Sequence, residues 1–355
     1  MDQYRMMSSL FLAAAAAFCS ACGGNPPPEA SAPTPAVAAH ESPPASPPIA
    51  ATPPAATSAG AGAASSQSVA PKGPLDATRI AGSTGGKPET SDNVVKVSFP
   101  RDDIRVDVDG TKMPPFMGLT SWAAFVPAEK AGVEAMVMGD FVLFEDEVNP
   151  AMSAALDNGL EVTALHNHFF FDKPHVLFMH IGGEGSVEQL GKGVKAALDA
   201  ARGVRRKTAK PAIEFGAPTP TPSKIDAAKL DAIFGAKGAA KDGMYKGTFG
   251  RKTQAECGCT IGKAMGVNTW AAFAGTDDNA VVDGDFAMGE GELQSVLKTL
   301  RAGGINIVAV HSHMTSESPR ILFLHYWGRG HAADLARTVK RALDLTEWDG
   351  RSPAT

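Results

Sequence analysis

Histidines recur at the same spacing in two parts of the chain. The segments HNHFFFDKPHVLFMH at 166–180 and HSHMTSESPRILFLH at 311–325 carry three histidines at identical places. Residues two apart on a β-strand point to the same face of a sheet, so each His-x-His pair is expected to share a face. The histidines of the two sets are His166, His168 and His180, and His311, His313 and His325.

A returning strand would bring the third histidine of each set to the first two. A hairpin centred on Lys173 predicts that His180 lies opposite His166, and the equivalent hairpin places His325 opposite His311. Directly opposite residues have Cβ atoms about 4.5 to 5.5 Å apart. We therefore expect three imidazoles to converge in each segment, whereas a one-residue change of register would send the third to the other face.

Three converging imidazole nitrogens suit a divalent cation, with zinc or another late first-row ion as the expected cofactor. A carboxylate could complete the coordination or act as the base that activates a bound water. Glu147 and Glu292 are the candidates for this catalytic role, because each follows a Gly-Asp-Phe strand. Glu145 and Glu290 are the substitutes.

Other interpretations of these residues remain open. The histidines could form a polar network with Asp140 and Asp285, or line a groove that holds no metal. Two arginines recur at the end of the first strand of each half, where they could bind an anionic ligand or form a structural salt bridge. They are Arg101 and Arg251.

The cysteines of the globular part form a single Cys-x-Cys pair, Cys257 and Cys259. Residues two apart on an extended strand lie near the upper limit for a disulfide. A disulfide, a contact to a soft metal and two free thiols are all compatible with this spacing.

The elements that must position these residues are also repeated. Trp-Ala-Ala-Phe at 122–125 returns at 270–273, and His180 and His325 are 145 residues apart. A repeat of this length indicates domain duplication. Each half has strands, a helix, a hairpin and a last helix, which predicts tandem two-layer α+β domains with antiparallel sheets at 75–215 and 225–346, joined by a linker at 216–224. In the first half we expect a helix over 149–158, with Asn149 as its N-cap.

The first 74 of the 355 residues have a different composition. Residues 6–18 are apolar but too short to span a bilayer comfortably, and they lead to Cys22, as in a lipoprotein signal peptide covering 1–21. The Pro- and Ala-rich stretch 22–74 lacks large apolar residues and predicts a disordered tether. We expect export to the cell envelope, a membrane partner reached through a lipid on Cys22 and an outer-membrane location. A cleaved signal peptide without lipid is the alternative. Separately, the net charge of −5 excludes a strongly basic nucleic-acid binder.

The globular part resembles the LppY/LpqO family (DUF1259). The resemblance is carried in order by Gly-Asp-Phe at 139–141, Glu-Val-Asn-Pro at 147–150, Ala-Leu-His-Asn-His at 164–168 and Phe-Met-His at 178–180. In the second repeat, Leu-Gln-Ser at 293–295 replaces Val-Asn-Pro. The resemblance implies an exported, often lipid-anchored bacterial protein, and it implies no particular reaction.

Three functions follow from these observations. The first is an anchored envelope protein with two divalent-metal sites, which could hydrolyse an envelope component. The second is a non-enzymatic module that binds a cell-wall or small-molecule ligand, or serves as a scaffold. The third is a metal chaperone, which would need weak, exchangeable binding and the participation of Cys257 and Cys259.

Overall fold

A computed structural model describes residues 73–349. The predicted signal peptide at 1–21, Cys22 and the predicted tether up to residue 72 lie outside the described residues. Within residues 73–349, no helix is both long and apolar enough to cross a membrane.

The first repeat contains three helices and nine strands: α1 (Ala77–Thr84), β1 (Lys87–Ser91), β2 (Val94–Pro100), β3 (Val106–Val108), β4 (Thr111–Met113), β5 (Thr120–Pro127), β6 (Ala135–Phe144), α2 (Glu145–Asp157), β7 (Glu161–His166), β8 (Asp172–Lys173), β9 (Val176–Gly185) and α3 (Val187–Lys207). The second repeat continues with α4 (Ala227–Phe234), β10 (Ala239–Lys241), β11 (Met244–Gly250), β12 (Thr253–Gln254), β13 (Thr260–Ile261), β14 (Asn268–Gly275), β15 (Ala280–Gly289), α5 (Leu293–Ala302), β16 (Asn306–His311), β17 (Ile321–Gly330) and α6 (Ala332–Leu343). Short 3₁₀ helices lie at Pro115–Met117, Lys263–Met265 and Glu290–Glu292.

Both repeats contribute to one antiparallel sheet. Its twelve strands run in the order β1-β2-β5-β6-β9-β7-β16-β17-β15-β14-β11-β10. The order is symmetric about the β7–β16 pair, where Leu165 of the first repeat faces Val310 of the second. The structure therefore confirms the duplicated α+β class with antiparallel strands, and it joins the repeats at the centre of one sheet.

In the part of the chain that the structure describes, the α-helices cover only one face of this sheet. Alternate strand residues such as Val97, Phe125 and Val137 are fully buried against helix residues such as Leu190 and Val194. The same apolar cluster extends into the second repeat without interruption. Because side chains alternate along a strand, the residues between these positions lie on the helix-free face. This second face holds the histidines.

Small apolar clusters cover parts of the helix-free face. In the first repeat, Val106 of β3 and Leu119, which directly precedes β5, pack on Val142 and Phe178 of the sheet. In the second repeat, Ile261 and Val267 pack with Phe323 in the equivalent way. Phe178 and Phe323 are the strand residues next to the histidine rings, so these clusters mark one boundary of the histidine-bearing surface.

Helix α2 starts four residues before the predicted position. The Glu147 carboxylate accepts a hydrogen bond from the Phe144 backbone N–H at 3.0 Å, so it caps the helix from its third position. Pro150 consequently lies inside the helix, and Asn149 is not the N-cap. The prediction of a helix start at Asn149 was wrong because a glutamate further upstream supplies the cap.

Asn149 instead joins the two repeats. Its amide nitrogen donates to the Ile307 carbonyl at 3.2 Å, and its amide oxygen accepts from the Ile307 N–H at 2.8 Å. Gln294 makes the reciprocal pair with Val162, at 2.9 and 3.0 Å. Val162 and Ile307 adjoin the register shift in each hairpin. We call these two interactions the amide clamps; they satisfy backbone groups at the irregular part of each central strand.

Candidate metal centre

The β7–β9 hairpin has a different register from the predicted one. His180 lies opposite Ala164, and His166 lies opposite Phe178, with an irregularity between Val162 and Ala164. The prediction that His166 directly faces His180 was therefore wrong by two residues. Since a shift of two residues preserves the face, the side chains still meet.

The second hairpin repeats this correction. His325 lies opposite Ala309, and His311 lies opposite Phe323, so the predicted His311–His325 pair is also displaced by two residues. In both repeats, a small alanine occupies the position directly beside the third histidine. The imidazoles therefore approach one another diagonally above an alanine.

The three predicted rings of the first repeat come together. The His166 ring centroid lies 5.1 Å from that of His168 and 5.1 Å from that of His180. The His168 ring stacks on Phe178 at 3.4 Å, which fixes its position although it lies beyond the end of the strand. His168 is exposed, while His166 and His180 are half-buried.

The second repeat brings its three rings together in the same way. The His311 ring centroid lies 5.1 Å from that of His313 and 4.6 Å from that of His325. His313 stacks on Phe323 at 3.5 Å. The repeated arrangement shows that the ring positions follow from the duplicated sequence pattern.

The carboxylate beside the imidazoles of the second repeat belongs to Asp285. Its oxygens lie 4.0 Å from His311 Nε2 and 3.7 Å from His313 Nε2. One donor atom from each of these three residues lies within 4.8 Å of the other two. Such a set can close around a single cation, and Asp285 is only 4% exposed. We call Asp285, His311 and His313 the Asp–His–His triad.

Asp140 occupies the equivalent position in the first repeat. It lies opposite His180 on β9 and opposite Trp122 on β5. Its Oδ1 atom is buried without a hydrogen-bond partner. Among the described residues, however, only the second repeat brings three such donors, a carboxylate and two imidazoles, within the 4.8 Å that defines the triad.

Burial shifts the pKa values of two members of the triad, His311 and Asp285. It lowers the pKa of His311, and the Asp285 carboxylate only partly opposes this effect. Burial also raises the pKa of Asp285, although His325, His311 and His313 act in the opposite direction. In the first repeat, burial lowers the pKa of His168. Rings with a lowered pKa stay neutral, and the neutral imidazole is the form that binds metals.

Hydrogen bonds orient two further rings. The His325 Nδ1 atom lies 3.4 Å from the Gly284 carbonyl, and the His166 Nδ1 atom lies 3.3 Å from the Asn167 carbonyl. Since a carbonyl only accepts, Nδ1 carries the proton in these contacts and Nε2 keeps its lone pair. Metal-binding histidines in proteins are commonly held in this way. The His311 Nε2 atom is buried without a hydrogen-bond partner.

Glu147 and Glu292 do not take the places predicted for them. Glu147 is fully buried and pairs with Arg101 at 2.7 Å and with Arg205 at 2.8 Å. Glu292 pairs with Arg251 and accepts from the Gly289 N–H at 2.7 Å. Each carboxylate occupies the third position after a strand end, where it caps the backbone. The assignment of these glutamates to the position beside the imidazoles was therefore wrong. Asp285 supplies the carboxylate there.

Arg101 and Arg251 are accordingly engaged with protein groups. Arg101 also pairs with Asp103 at 2.8 Å, and the Arg101 guanidinium donates to the Val142 carbonyl at 2.9 Å. Arg251 is 7% exposed and donates to the Glu347 carbonyl at 3.3 Å. The structure supports the salt-bridge interpretation of both arginines, because their guanidinium groups hold the helix caps.

A signal for the aspartates was present in the sequence. Asp140 and Asp285 are charged residues within runs of mostly apolar residues in strands β6 and β15. A buried carboxylate inside an apolar strand needs a compensating partner. Alternation along the strand would have placed it on the histidine face.

Aromatic and basic side chains extend the site along the sheet. Trp122 and Trp270 flank the two aspartates on the neighbouring strands. The Lys96 Nζ atom lies 4.6 Å from the Trp122 ring, and the Lys246 Nζ atom lies 3.9 Å from the Trp270 ring. The tryptophans are half-buried, so each repeat presents a Lys-Trp-Asp-His strip on the helix-free face.

The two cysteines of the described part of the chain form a disulfide. Cys257 and Cys259 are bonded to each other in the loop between β12 and β13. Of the three possibilities that the spacing allowed, the structure contains the first. Cys257 and Cys259 are therefore not available as thiolate ligands.

Comparison with known proteins places the chain in a family. The sequence profile described as Domain of Unknown Function (DUF1259) matches residues 78–200 and 228–345, one match for each repeat. The protein belongs to this family. No curated protein matches the sequence.

Two solved structures show a weak likeness to the chain. Ethanolamine utilization protein EutL from Leptotrichia buccalis is 10% identical with a TM-score of 0.19, and the match covers 63% of this chain and 90% of that one. The trimeric bacterial microcompartment shell protein PduB is 13% identical with a TM-score of 0.17, and the match covers 73% and 89%. Similarity at this level carries no argument about function.

Proposed function

We propose that this protein binds a divalent cation, with zinc as the preferred candidate, on the helix-free face of its sheet. The observation that carries the proposal is the Asp–His–His triad, whose donor atoms lie within 4.8 Å of one another. The His325 ring, whose centroid lies 4.6 Å from that of His311, is the candidate for a fourth ligand, because its Nδ1 is directed to a carbonyl and its Nε2 keeps its lone pair. One carboxylate and three imidazoles are a ligand set suited to tetrahedral zinc.

The electrostatics of the triad support the same proposal. The Asp285 carboxylate, with a raised pKa, beside the His311 ring, with a lowered pKa, is a buried acid without a compensating positive charge. A divalent cation would supply that charge and would use the unpartnered His311 Nε2 atom. The residues present therefore fit the ion chemically and electrostatically.

The proposed place of action is the cell envelope. The first 74 residues support this part of the proposal through their signal-peptide pattern, Cys22 and the Pro-rich tether. An outer-membrane lipid anchor would let the folded part move at some distance from the bilayer. Binding of a cell-wall or small-molecule ligand without metal is the competing function.

Metal content tests the proposal directly. The purified protein, stripped with a chelator and dialysed, is titrated with Zn²⁺ by calorimetry, and its bound zinc is counted by mass spectrometry. We expect at least one tightly bound zinc per chain. The double variant His311→Ala, His313→Ala removes two of the three triad ligands and should lose the tightest site.

His331→Ala is the matched control. Its exposed ring lies 3.6 Å from Asp278 and takes no part in the triad, so zinc binding should be unchanged. A folded wild-type protein that takes up no stoichiometric metal would reject the metal-binding function and favour the metal-free ligand-binding module.

A further inference from the structure

The two histidine sets meet at the centre of the sheet. Leu165 of β7 and Val310 of β16 face each other across the boundary between the repeats, and both are buried in the core. His166 and His311 are the next residues along their strands, so alternation places both on the helix-free face. Each histidine is also the last residue of its strand.

The spacing at this boundary is short. In the antiparallel register set by Leu165 and Val310, His166 and His311 are diagonal neighbours. Diagonal positions of adjacent strands lie about 7 to 8 Å apart, within reach of long side chains. The nearest histidines of the two sets, His166 and His311, therefore lie on adjacent strands.

The floor between the sets consists of two small side chains. Ala164 lies opposite His180, and Ala309 lies opposite His325, and both alanines are half-buried on the helix-free face. In the register of β7 and β16, Ala164 also lies opposite His311, and Ala309 also lies opposite His166. The two alanine methyl groups are thus surrounded by four imidazoles, those of His166, His180, His311 and His325. Larger side chains at the alanine positions would fill the space between these rings.

We infer that the two histidine sets form one composite site that holds a pair of divalent cations across the boundary between the repeats. The inference rests on the proposed metal-binding function and extends it to the first repeat. The four inner imidazoles surround the alanine floor, while a buried aspartate lies at each end. Two carboxylates, one from each repeat, provide negative charge for two cations.

A copper titration tests this inference in the full-length protein. Cu²⁺ is chosen because it binds nitrogen sites most strongly among first-row divalent ions and is paramagnetic. We expect two ions per chain, with an electron paramagnetic resonance spectrum broadened by dipolar coupling between them. His166→Ala with His168→Ala should leave one ion per chain and a spectrum without that broadening.

Changes to the floor give a second test. Ala164→Leu with Ala309→Leu adds bulk between the sets but removes no ligand, so the second ion should bind about 10-fold more weakly or not at all. Ala124→Leu with Ala272→Leu is the matched control, because these alanines are half-buried on strands farther from the boundary. Circular dichroism confirms that each variant is folded.

The outcomes separate the two ideas. Two ions with uncoupled spectra would overturn the composite site and leave the metal-binding function intact. A single ion that is unaffected by the first-repeat variants would do the same. Absence of any bound copper or zinc in folded protein would reject the metal-binding function and the composite site together.

Discussion

Asp285 carries a charge that its neighbours do not neutralise in the absence of a cation. Its side chain is 6% exposed and receives one backbone hydrogen bond, from the Leu324 N–H at 3.2 Å. The imidazoles around it lie at ion-pair rather than hydrogen-bond distance. Such an arrangement costs folding free energy and is maintained where a ligand supplies the missing charge.

Asp285→Asn should therefore separate stability from affinity. The amide keeps an oxygen that can accept from Leu324, and it removes the buried charge. We expect the free energy of unfolding of the metal-free protein at pH 7 to rise or to change by less than about 0.5 kcal/mol. Zinc affinity should fall by at least about 10-fold. Urea unfolding and calorimetry measure the two quantities.

Asp283→Asn is the control for this substitution. Asp283 is exposed and lies two residues earlier on the same strand. Neither stability nor zinc affinity should change. A strong loss of stability in metal-free Asp285→Asn would show that this carboxylate is a structural group.

Glu147 illustrates a different use of a buried carboxylate. It is fully buried, it caps helix α2, and it faces two arginines. Glu147→Gln removes the fully buried charge that faces Arg101 and Arg205, which keep only the more exposed carboxylates of Asp103 and Asp146. We therefore expect a loss of about 3 to 5 kcal/mol in the free energy of unfolding. Chemical denaturation measures the loss.

Glu145→Gln is the matched control, because Glu145 is exposed in the same helical turn. Its effect should stay below about 0.5 kcal/mol. Any Glu147→Gln protein that remains folded should retain zinc affinity, since this carboxylate contacts arginines. Loss of binding in folded protein would return Glu147 to the metal centre.

At the scale of the elements, the sequence predicted which residues share a face but not their register. The His-x-His spacing and the duplicated pattern were enough to bring the rings together, because strand alternation is local. On the turn side of each hairpin the register differs from the predicted one by two residues, and the irregularities at 162–164 and 307–309 change it by one further residue. They lie where the amide clamps from the other repeat bind the backbone, a long-range cause that no local pattern reveals.

Long-range contacts also account for the misplaced helix start and the misassigned acid. Asn149 has the properties of an N-cap, but its amide is used between repeats, as is that of Gln294. Glu147 follows the strand directly, which made it the natural candidate for the base. Its position inside the helix instead directs it to Arg101, whereas Asp140 and Asp285 reach the histidine face from within their strands.

Removal of the amide clamps should lower the free energy of unfolding of the two joined repeats. Asn149→Leu leaves the N–H and C=O of Ile307 without their partners, and Gln294→Leu does the same to Val162. An unsatisfied buried backbone group costs about 1 to 3 kcal/mol. We expect each variant to lose at least that amount in urea unfolding.

Ser295→Ala, at an exposed position of helix α5, provides the control and should have little effect. The double variant tests whether the clamps act independently. Unchanged stability in both single variants would show that water satisfies these groups and that the clamps are not needed.

On the scale of the whole molecule, one apolar core and one sheet unite the repeats. Core residues from helices of both halves belong to the same cluster, and the amide clamps cross the boundary in both directions. Residues 214–218 of the connection between the repeats are exposed. Covalent continuity is therefore not what holds the halves together.

A cut in this connection should leave the structure assembled. We expect a protein with a protease site inserted at 217–218 to elute at its original volume after complete cleavage. It should also unfold in a single transition. Cleavage inside the predicted tether at 22–74 is the control, since it should release only the N-terminal segment. Separation of the two fragments under native conditions would contradict the shared core.

The symmetric strand order has a consequence for the history and engineering of the fold. A chain with one repeat alone would expose the edge of its central strand, together with the backbone groups that an amide clamp normally covers. Such a chain could cover this edge by pairing with an identical copy through the same strand. Two-fold homodimers of single repeats would then rebuild the same surface from one gene product, and fusion of the two copies would free each half to change its acids and loops separately.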